Sequence, residues 1–386
     1  MKNKNLLFID YLIPTPDKDA GSLLAFNTIL LLKNSGFNVI MSSFSPHNKQ
    51  EYKDLLQKND IFYLEPKYLD DYLSRKGSEI DFIYGTRYNA YGFLLSLLKL
   101  KCLKAKFIFH TVDIAFLRET RELNLIKKSL KKSYVDYRKK QISILKKHEL
   151  NCIKNSDLTI LTSSEEMKVI RKYDKISKLA ILGFIMNPNF TRSKFNERKN
   201  IIFLGNYNHV PNLDAVKYFV NKILPKLIKA GFKDKFIIAG TAKEIELKKL
   251  EKISKKVKYI GYQKNLYKLF NDAKLFVSPL RYGAGIKGKL ATSISYGLPI
   301  IASKMTIEGM NLKKNIWSYS SEKSLISKIC KVYYSENNWN EYKNNLENLM
   351  ESNFGVISFS NNLKKCFKMV GYKKVVINSR RINLHN

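Results

Sequence analysis

The sequence predicts an α/β protein made of two Rossmann-like, doubly wound domains with parallel sheets. Three observations carry that expectation. Short apolar runs alternate with longer amphipathic patterns along almost all of the 386 residues, the order produced when each strand is followed by a helix that covers the sheet. The alternation lapses once, across residues 183–200, and then restarts. Both series also place turn-forming or polar segments directly after strands, where open α/β sheets hold their ligands.

In the first series, residues 6–10 (LLFID) read as a buried strand running into a loop. A helix follows from about Ala20 and stops at Ser35-Gly36, glycine being the usual residue past a helix end. Further strands are predicted at 37–42, 61–64, 81–84, 106–110, 157–161 and 179–182, with helices near Leu55-Leu56 and over 69–73, 91–100 and 163–173. One unbroken helix is expected over 119–154, where Leu123, Ile126, Leu130, Tyr134, Tyr137, Ile144 and Leu145 recur at roughly helical spacing between lysines. The second series has strands at 201–204, 235–239, 257–260 and 275–278 and helices at 214–230, 244–253 and 266–270. Apolar runs after 299 and at 317–319 and helical patterns at 322–334, 339–350 and 357–370 complete it. The expected organisation is therefore a first domain at 1–182, a linker at 183–200, a second domain at 201–352, a C-terminal helix at 353–371 and a basic tail at 372–386.

Composition narrows the function. The chain is long enough for two good cores, and no apolar run approaches the ~20 residues of a membrane span. The opening MKNKNLLFIDYLIPTP is interrupted by Asp10 and two prolines, so it reads as a strand and not as a leader. Four scattered cysteines without a CxxC pair argue against a zinc site and fit a reducing compartment. The net charge of +36 invites a polyanionic partner. Only eleven of the 69 basic residues are arginine, and no nucleic-acid motif is present, so an anionic membrane surface is the better partner, with compositional bias contributing to the excess. The lysine-rich face of 119–154 reads either as a solvated face or as a cationic surface for lipid headgroups, each basic residue adding ~1 kcal/mol near a membrane.

Residues 278–302 (SPLRYGAGIKGKLATSISYGLPIIA) form a strand, a glycine turn, a helix and a second strand. Gly283 and Gly285 let backbone donors approach a ligand, the following helix N-terminus favours anions, and Lys287 and Lys289 add cationic donors. This is a phosphate-binding pattern, although a tight turn in any α/β protein would share its glycines.

Four segments resemble, in order, those of bacterial family 4 glycosyltransferases of the two-domain GT-B fold, the group that builds surface polysaccharides. They are PTPDKDAGSLLAFNTILLLKNSGFNVI (14–40), HTVDIAFLRETREL (110–123), FLGNYNHVPNLDAVKYFVNKILP (203–225) and FVSPLRYGAGIKGKLATSISYGLPIIASKMTIEGM (276–310). The resemblance implies an acceptor-side first domain facing a nucleotide-sugar-binding second domain across a cleft, C-terminal helices packing back towards the first domain, and sugar transfer from a nucleotide-sugar to a glycan or lipid-linked acceptor. It also implies retention of configuration, no cofactor and no bound metal. Donor binding is then expected at Gly21, Gly205, Asn206, Gly261, Tyr262, Arg281, Gly283, Gly285, Ile286, Lys287, Lys289 and Thr292. Tyr262 reads equally as packing, and Arg281 as a brace for the turn. His110 and Asp113 are the expected catalytic or acceptor-orienting pair, while an Asp113–Arg118 ion pair is the structural alternative. The implied location is cytoplasmic, peripheral on the membrane.

Two departures from the family pattern stand out. Ala284 and Thr292 occupy positions where members often carry glutamates, and Asn206, Asn208 and His209 stand where many have an arginine and a lysine. Diphosphate charge would then rest on Lys287 and Lys289. A non-catalytic binding protein and a sugar-nucleotide epimerase of the same architecture are the competing readings. A dinucleotide oxidoreductase is disfavoured because no GxGxxG turn follows the first strand.

Overall fold

The computed structural model describes residues 3–46, 49–241, 244–310, 312 and 318–373. The chain forms two compact units, Met1–Ile185 with Val356–Asn386, and Met186–Gly355.

The first unit is organised on a seven-stranded sheet of β1 (Asn5–Asp10), β2 (Asn38–Ser43), β3 (Phe62–Leu64), β4 (Phe82–Thr86), β5 (Lys106–His110), β6 (Leu158–Leu161) and β7 (Leu179–Ile181). All neighbours pair in parallel, in the order β3-β2-β1-β4-β5-β6-β7. Leu6, Leu7, Phe8 and Ile9 of β1 are wholly buried, the continuous apolar run expected of a parallel strand covered on both faces. The helix Ala20–Asn34 starts at an N-cap, Asp19, whose carboxylate accepts the Ser22 N–H at 2.9 Å. It ends before Gly36, whose φ of 87° is left-handed.

The second unit carries a six-stranded parallel sheet of β8 (Lys199–Leu204), β9 (Phe236–Ala239), β10 (Val257–Tyr259), β11 (Ala273–Ser278), β12 (Ile300–Ser303) and β13 (Ser318–Tyr319), ordered β10-β9-β8-β11-β12-β13. In both units strand order reverses once, between β1 and β4 and between β8 and β11. These reversals leave a crevice at the carboxyl ends of the two diverging strands, the place where such sheets bind ligands.

The C-terminal helix Val356–Met369 belongs to the first unit. Phe367 packs 5.0 Å from Phe37 and 5.2 Å from Phe82 between ring centroids. Residues 374–386, most of the expected basic tail, lie outside the described residues, as does Trp317.

Two expectations need correction. The predicted helix over 119–154 is a pair of helices, Ala115–Ile126 and Lys132–Lys154, packed on each other. The break falls at Leu130 and Lys131, both extended. Lys127, Lys128, Lys131 and Lys132 would stack like charges at i,i+4 in one continuous helix. Folding back also lets Arg138 reach Glu119 at 2.8 Å and Glu122 at 3.0 Å. The stretch 183–200 is not a free linker either. From Asn189 it is tied to the second unit by Asn189 N–H to Ser295 O at 2.7 Å and Thr191 N–H to Tyr296 O at 3.0 Å. Arg198 is buried there, donating to the Phe270 and Ala273 carbonyls at 2.9 and 3.1 Å and stacking 5.0 Å from the Trp339 ring. With no carboxylate bonded to it, burial pushes this guanidinium down to about 10.

Candidate functional site

The β8–β11 crevice collects most of the residues singled out in the sequence. β8 and β11 pair directly, Leu275 opposite Ile201. The chain leaves β8 at Gly205-Asn206 and β11 through the glycine turn into the helix Gly288–Ser295. Close approach to the Gly205 backbone requires a glycine at 240. A Cβ on Gly240, the residue after β9, would lie 2.0 Å from the Gly205 carbonyl oxygen. Gly240 takes a φ of 123° and donates its N–H to Gly261 O at 2.8 Å. The loops after β8, β9 and β10 are thus locked together through three glycines. Asn206 is spent locally: its side-chain oxygen accepts the Asn208 N–H at 3.0 Å, and its carbonyl accepts Asn212 Nδ2 at 2.7 Å. Tyr262 follows Gly261 and is half-buried.

The glycine turn is braced from below. Ser303 Oγ donates to Leu280 O at 2.6 Å and Thr306 Oγ1 to Ser278 O at 2.9 Å. Arg281 makes a two-pronged ion pair with Asp214, Nε to Oδ2 at 2.8 Å, and lies 5.4 Å from the Tyr218 ring centroid. Arg281 is therefore engaged as a brace and its charge is balanced. Gly283 and Gly285 take φ values of 153° and 66°, so both use backbone freedom that side chains rarely share. Lys287 is the N-cap of the helix and offers no side-chain acceptor to the first-turn N–H groups. Its own Nζ bonds Gly285 O at 2.5 Å. Ile286 and Thr292 are half-buried, and the Thr292 hydroxyl donates to Gly288 O at 3.1 Å. Ala284 is buried.

Lys289 extends towards β8, its Nζ 5.7 Å from the Phe203 ring centroid. Burial first, and then the charge of Lys287, push the Lys289 ammonium down to about 7. Two lysines facing one turn, one of them held short of its full charge by burial and by its neighbour, suit an anion.

The β1–β4 crevice of the first unit has the opposite character. Asp10 ends β1, wholly buried; its Oδ1 accepts the Tyr11 N–H at 2.6 Å and pairs with the Arg87 guanidinium. Arg87 follows β4 with a φ of 56°, a left-handed conformation uncommon outside glycine, and its Nη2 lies 3.7 Å from Asp19 Oδ1. Gly21 matters here, because a Cβ would come within 2.8 Å of Arg87 Nη2. His110 ends β5, buried, with Nδ1 2.9 Å from Tyr84 Oη. Burial and then the Arg87 charge push its imidazole down to about 3, so it is a neutral hydrogen-bonding group and not a cation for phosphate. Asp113 is paired with Arg118, the structural alternative raised by the sequence.

Two carboxylates that sequence reading missed hold the His110–Asp113 loop. Glu149 accepts the Ala115 and Phe116 N–H groups, both at 2.8 Å, and Glu166 accepts the Ile114 N–H at 2.9 Å and the Thr162 hydroxyl at 2.7 Å. They cap a helix whose own N-cap residue, Ile114, cannot. Burial pushes Glu149 up to about 8 despite those backbone donors. Asp10, Asp19, Arg87 and Gly240 were also missed; the lone signal for them was their place just after, or in the loop following, a strand.

Residues 198–334, most of the second unit and all of its β8–β11 crevice, match the family described as glycosyl transferases group 1. An uncharacterised 44.6 kDa protein of the cps region of Klebsiella pneumoniae is 28% identical over 239 residues, spanning 56% of this chain. The match spans 58% of that relative, less than two thirds of its length. A glycosyltransferase from Rickettsia africae superposes with a TM-score of 0.69 at 12% identity, covering 96% of this chain and 100% of that one. HepE of Anabaena, solved with UDP and glucose, gives 0.68 at 12% identity over 95% and 100%, and TarM gives 0.70 at 11% over 95% and 99%. At such identities the structures speak for the fold alone. Residues 198–334 thus match the group 1 glycosyl transferases, and the chain along its length has the fold of these solved structures.

Proposed function

We propose that the protein transfers a sugar from a nucleotide-sugar to a glycan or lipid-linked acceptor in surface-polysaccharide biosynthesis. Retention of configuration, independence of metal and a cytoplasmic, peripheral membrane location are parts of the same reading. The observation that carries it is the β8–β11 crevice, where the Gly283–Gly285 turn and an uncapped helix N-terminus meet Lys287 and Lys289. A leaving nucleoside diphosphate needs donors and positive charge aimed at oxygens whose charge grows in the transition state. Backbone N–H groups and the two ammonium groups supply both. Exchange of Lys287 Nζ from Gly285 O to a phosphate oxygen would strengthen its bond, since charge-assisted pairs are the stronger ones. Thr292 would meet the ribose without the charge of a glutamate. HepE, solved with UDP and glucose, and the relative from the cps region support the donor and pathway class.

The test is a thermal-shift panel of nucleotide-sugars, because a ligand bound only by the folded state raises Tm by mass action. At least one uridine, guanosine or thymidine diphosphate sugar should raise Tm, and Lys287→Ala should remove the shift. A flat panel contradicts the proposal. A non-catalytic binding role is favoured by Ala284, Thr292 and the Asp113–Arg118 pair; donor binding without hydrolysis or transfer to any acceptor would select it. No described helix is long and apolar enough to cross a membrane. Membrane association rests on the hairpin Ala115–Ile126/Lys132–Lys154, whose exposed Tyr134 and Tyr137 stand among lysines. Sedimentation with anionic liposomes at low salt should carry the protein down.

A further inference from the structure

We propose that the amino-terminal edge of the second sheet carries a binding site for a linear oligophosphate, centred on Lys235, Lys256 and Lys258. It lies at the end of the sheet opposite the β8–β11 crevice, and it stands whether or not that crevice takes a sugar donor.

The register of three strands builds the site. Ile201 of β8, Phe236 of β9 and Val257 of β10 lie side by side. One residue earlier, Asn200, Lys235 and Lys256 form a row. One residue later, Ile202, Ile237 and Lys258 form a second row on the same face, because side chains alternate along a strand. Lys233 and Lys255, from the turns before β9 and β10, complete a concavity of about 600 Å³, a volume suited to a small ligand. Its floor is fixed. Asn200 has a φ of 70°, uncommon outside glycine; its Oδ1 accepts the Lys235 N–H at 2.9 Å, and its N–H donates to Tyr333 Oη at 2.8 Å. Ile201 N–H to Lys235 O at 2.9 Å and Phe236 N–H to Lys256 O at 2.7 Å tie the strand starts together.

Charge selects the ligand. Like charges directly opposite each other on neighbouring strands destabilise a sheet, and Lys235 stands opposite Lys256. Other lysines of this unit, Lys217, Lys226 and Lys268, each meet a carboxylate. None of the five lysines in the concavity forms an ion pair among the described residues. The one carboxylate in the wall, Asp234, accepts the Tyr333 hydroxyl at 2.5 Å and also acts on the Lys274 ammonium. Lys256 Nζ bonds the Lys233 carbonyl oxygen, which leaves two of its three donors for a ligand. Five ammonium groups against one carboxylate leave a large positive surplus in one small space. A single phosphate brings about two negative charges, so matching the surplus takes several phosphates linked together. Lysines serve phosphate as point charges, and no aromatic side chain lines the concavity to stack a base. The phosphate chain, and not an attached nucleoside, is therefore what the site reads.

The test is calorimetric titration of inorganic tripolyphosphate, at low salt, into the full chain carrying Lys287→Ala, which removes the Lys287 charge from the β8–β11 crevice. One tripolyphosphate per chain should bind. Adding Lys235→Ala with Lys258→Ala should weaken it roughly twentyfold or more, the scale of two charge-assisted contacts at an exposed site. Lys104→Ala, which removes an exposed lysine of the first unit, should leave the affinity within about twofold, since a distant exposed charge is screened. Orthophosphate should bind about tenfold more weakly than tripolyphosphate, and ATP and GTP should match tripolyphosphate within about threefold. Lys235→Ala should also raise the Tm of the free chain by relieving repulsion from Lys256, which shows that the variant folds. Absence of binding, unchanged affinity in the Lys235→Ala/Lys258→Ala chain, equal weakening by Lys104→Ala, or a tenfold preference for one nucleobase would overturn the proposal. A flat nucleotide-sugar panel on the wild type would count against the donor reading alone.

Discussion

The two crevices share a topology and differ in charge. Each lies where strand order reverses, at the carboxyl ends of β1 and β4 or of β8 and β11. The second is floored by glycine backbone and faced by two lysines, one of them so short of counter-charge that its ammonium falls to about 7. In the first, the arginine is bound by two aspartates beside a neutral histidine. One sheet design therefore carries two charge patterns, depending on which few side chains follow the strands.

Substitutions can break the comparison on one side at a time. The largest effect is expected for Gly240→Ala, whose new Cβ would meet the Gly205 carbonyl at 2.0 Å from a φ of 123°. It should destabilise the second unit by about 3 kcal/mol or more, seen as a lower denaturant midpoint. Lys287→Ala comes next, with nucleoside-diphosphate affinity falling by roughly 100-fold in calorimetry, the scale of one charge-assisted bond.

Lys289→Met should cost about tenfold in UDP affinity at pH 7 and yet make the free protein more stable there, because it removes a desolvated charge. The sign follows from the lowered pKa. The unfolded chain holds the Lys289 proton up to its ordinary range near 10.4, and the folded chain loses it near 7. Below 7 the charge is carried at full cost, and stability gained from its loss accrues as pH rises from about 7 to about 10. Lys289→Met should flatten that rise in an unfolding series.

The smallest effect is expected for Arg281→Lys. Losing the two-pronged geometry with Asp214 should cost about 1 kcal/mol of stability and leave UDP affinity within about threefold. A larger loss of affinity would move Arg281 from brace to ligand.

Legibility followed the range of the interactions. Strands of a parallel sheet are continuous apolar runs, so β1 to β13 could be read from short windows, and the glycine turn announced itself by composition. The hairpin break at Leu130-Lys131 could not, since apolar spacing continues through it and the bend depends on lysine repulsion and on Arg138 meeting Glu119 and Glu122. Arg198 looked like linker charge because its partners are carbonyls some seventy residues away. Asp10 and Arg87 are 77 residues apart, and neither forms a motif alone. Glu149 and Glu166 sit on charged helices and cap another helix altogether. The candidate site residues legible in the sequence are mostly carried by local turns; those it did not suggest depend on long-range pairings.

The central claim is that the β8–β11 crevice holds the donor diphosphate and Lys289 supplies part of its charge. Calorimetric titration with UDP between pH 6 and 9 tests it most directly. The account predicts affinity that falls by up to tenfold per unit above about pH 7 as free Lys289 loses its proton, with proton uptake on binding, and loss of both in Lys289→Met. Affinity that is equal at pH 6 and 9, or the same pH dependence in Lys289→Met, would contradict it.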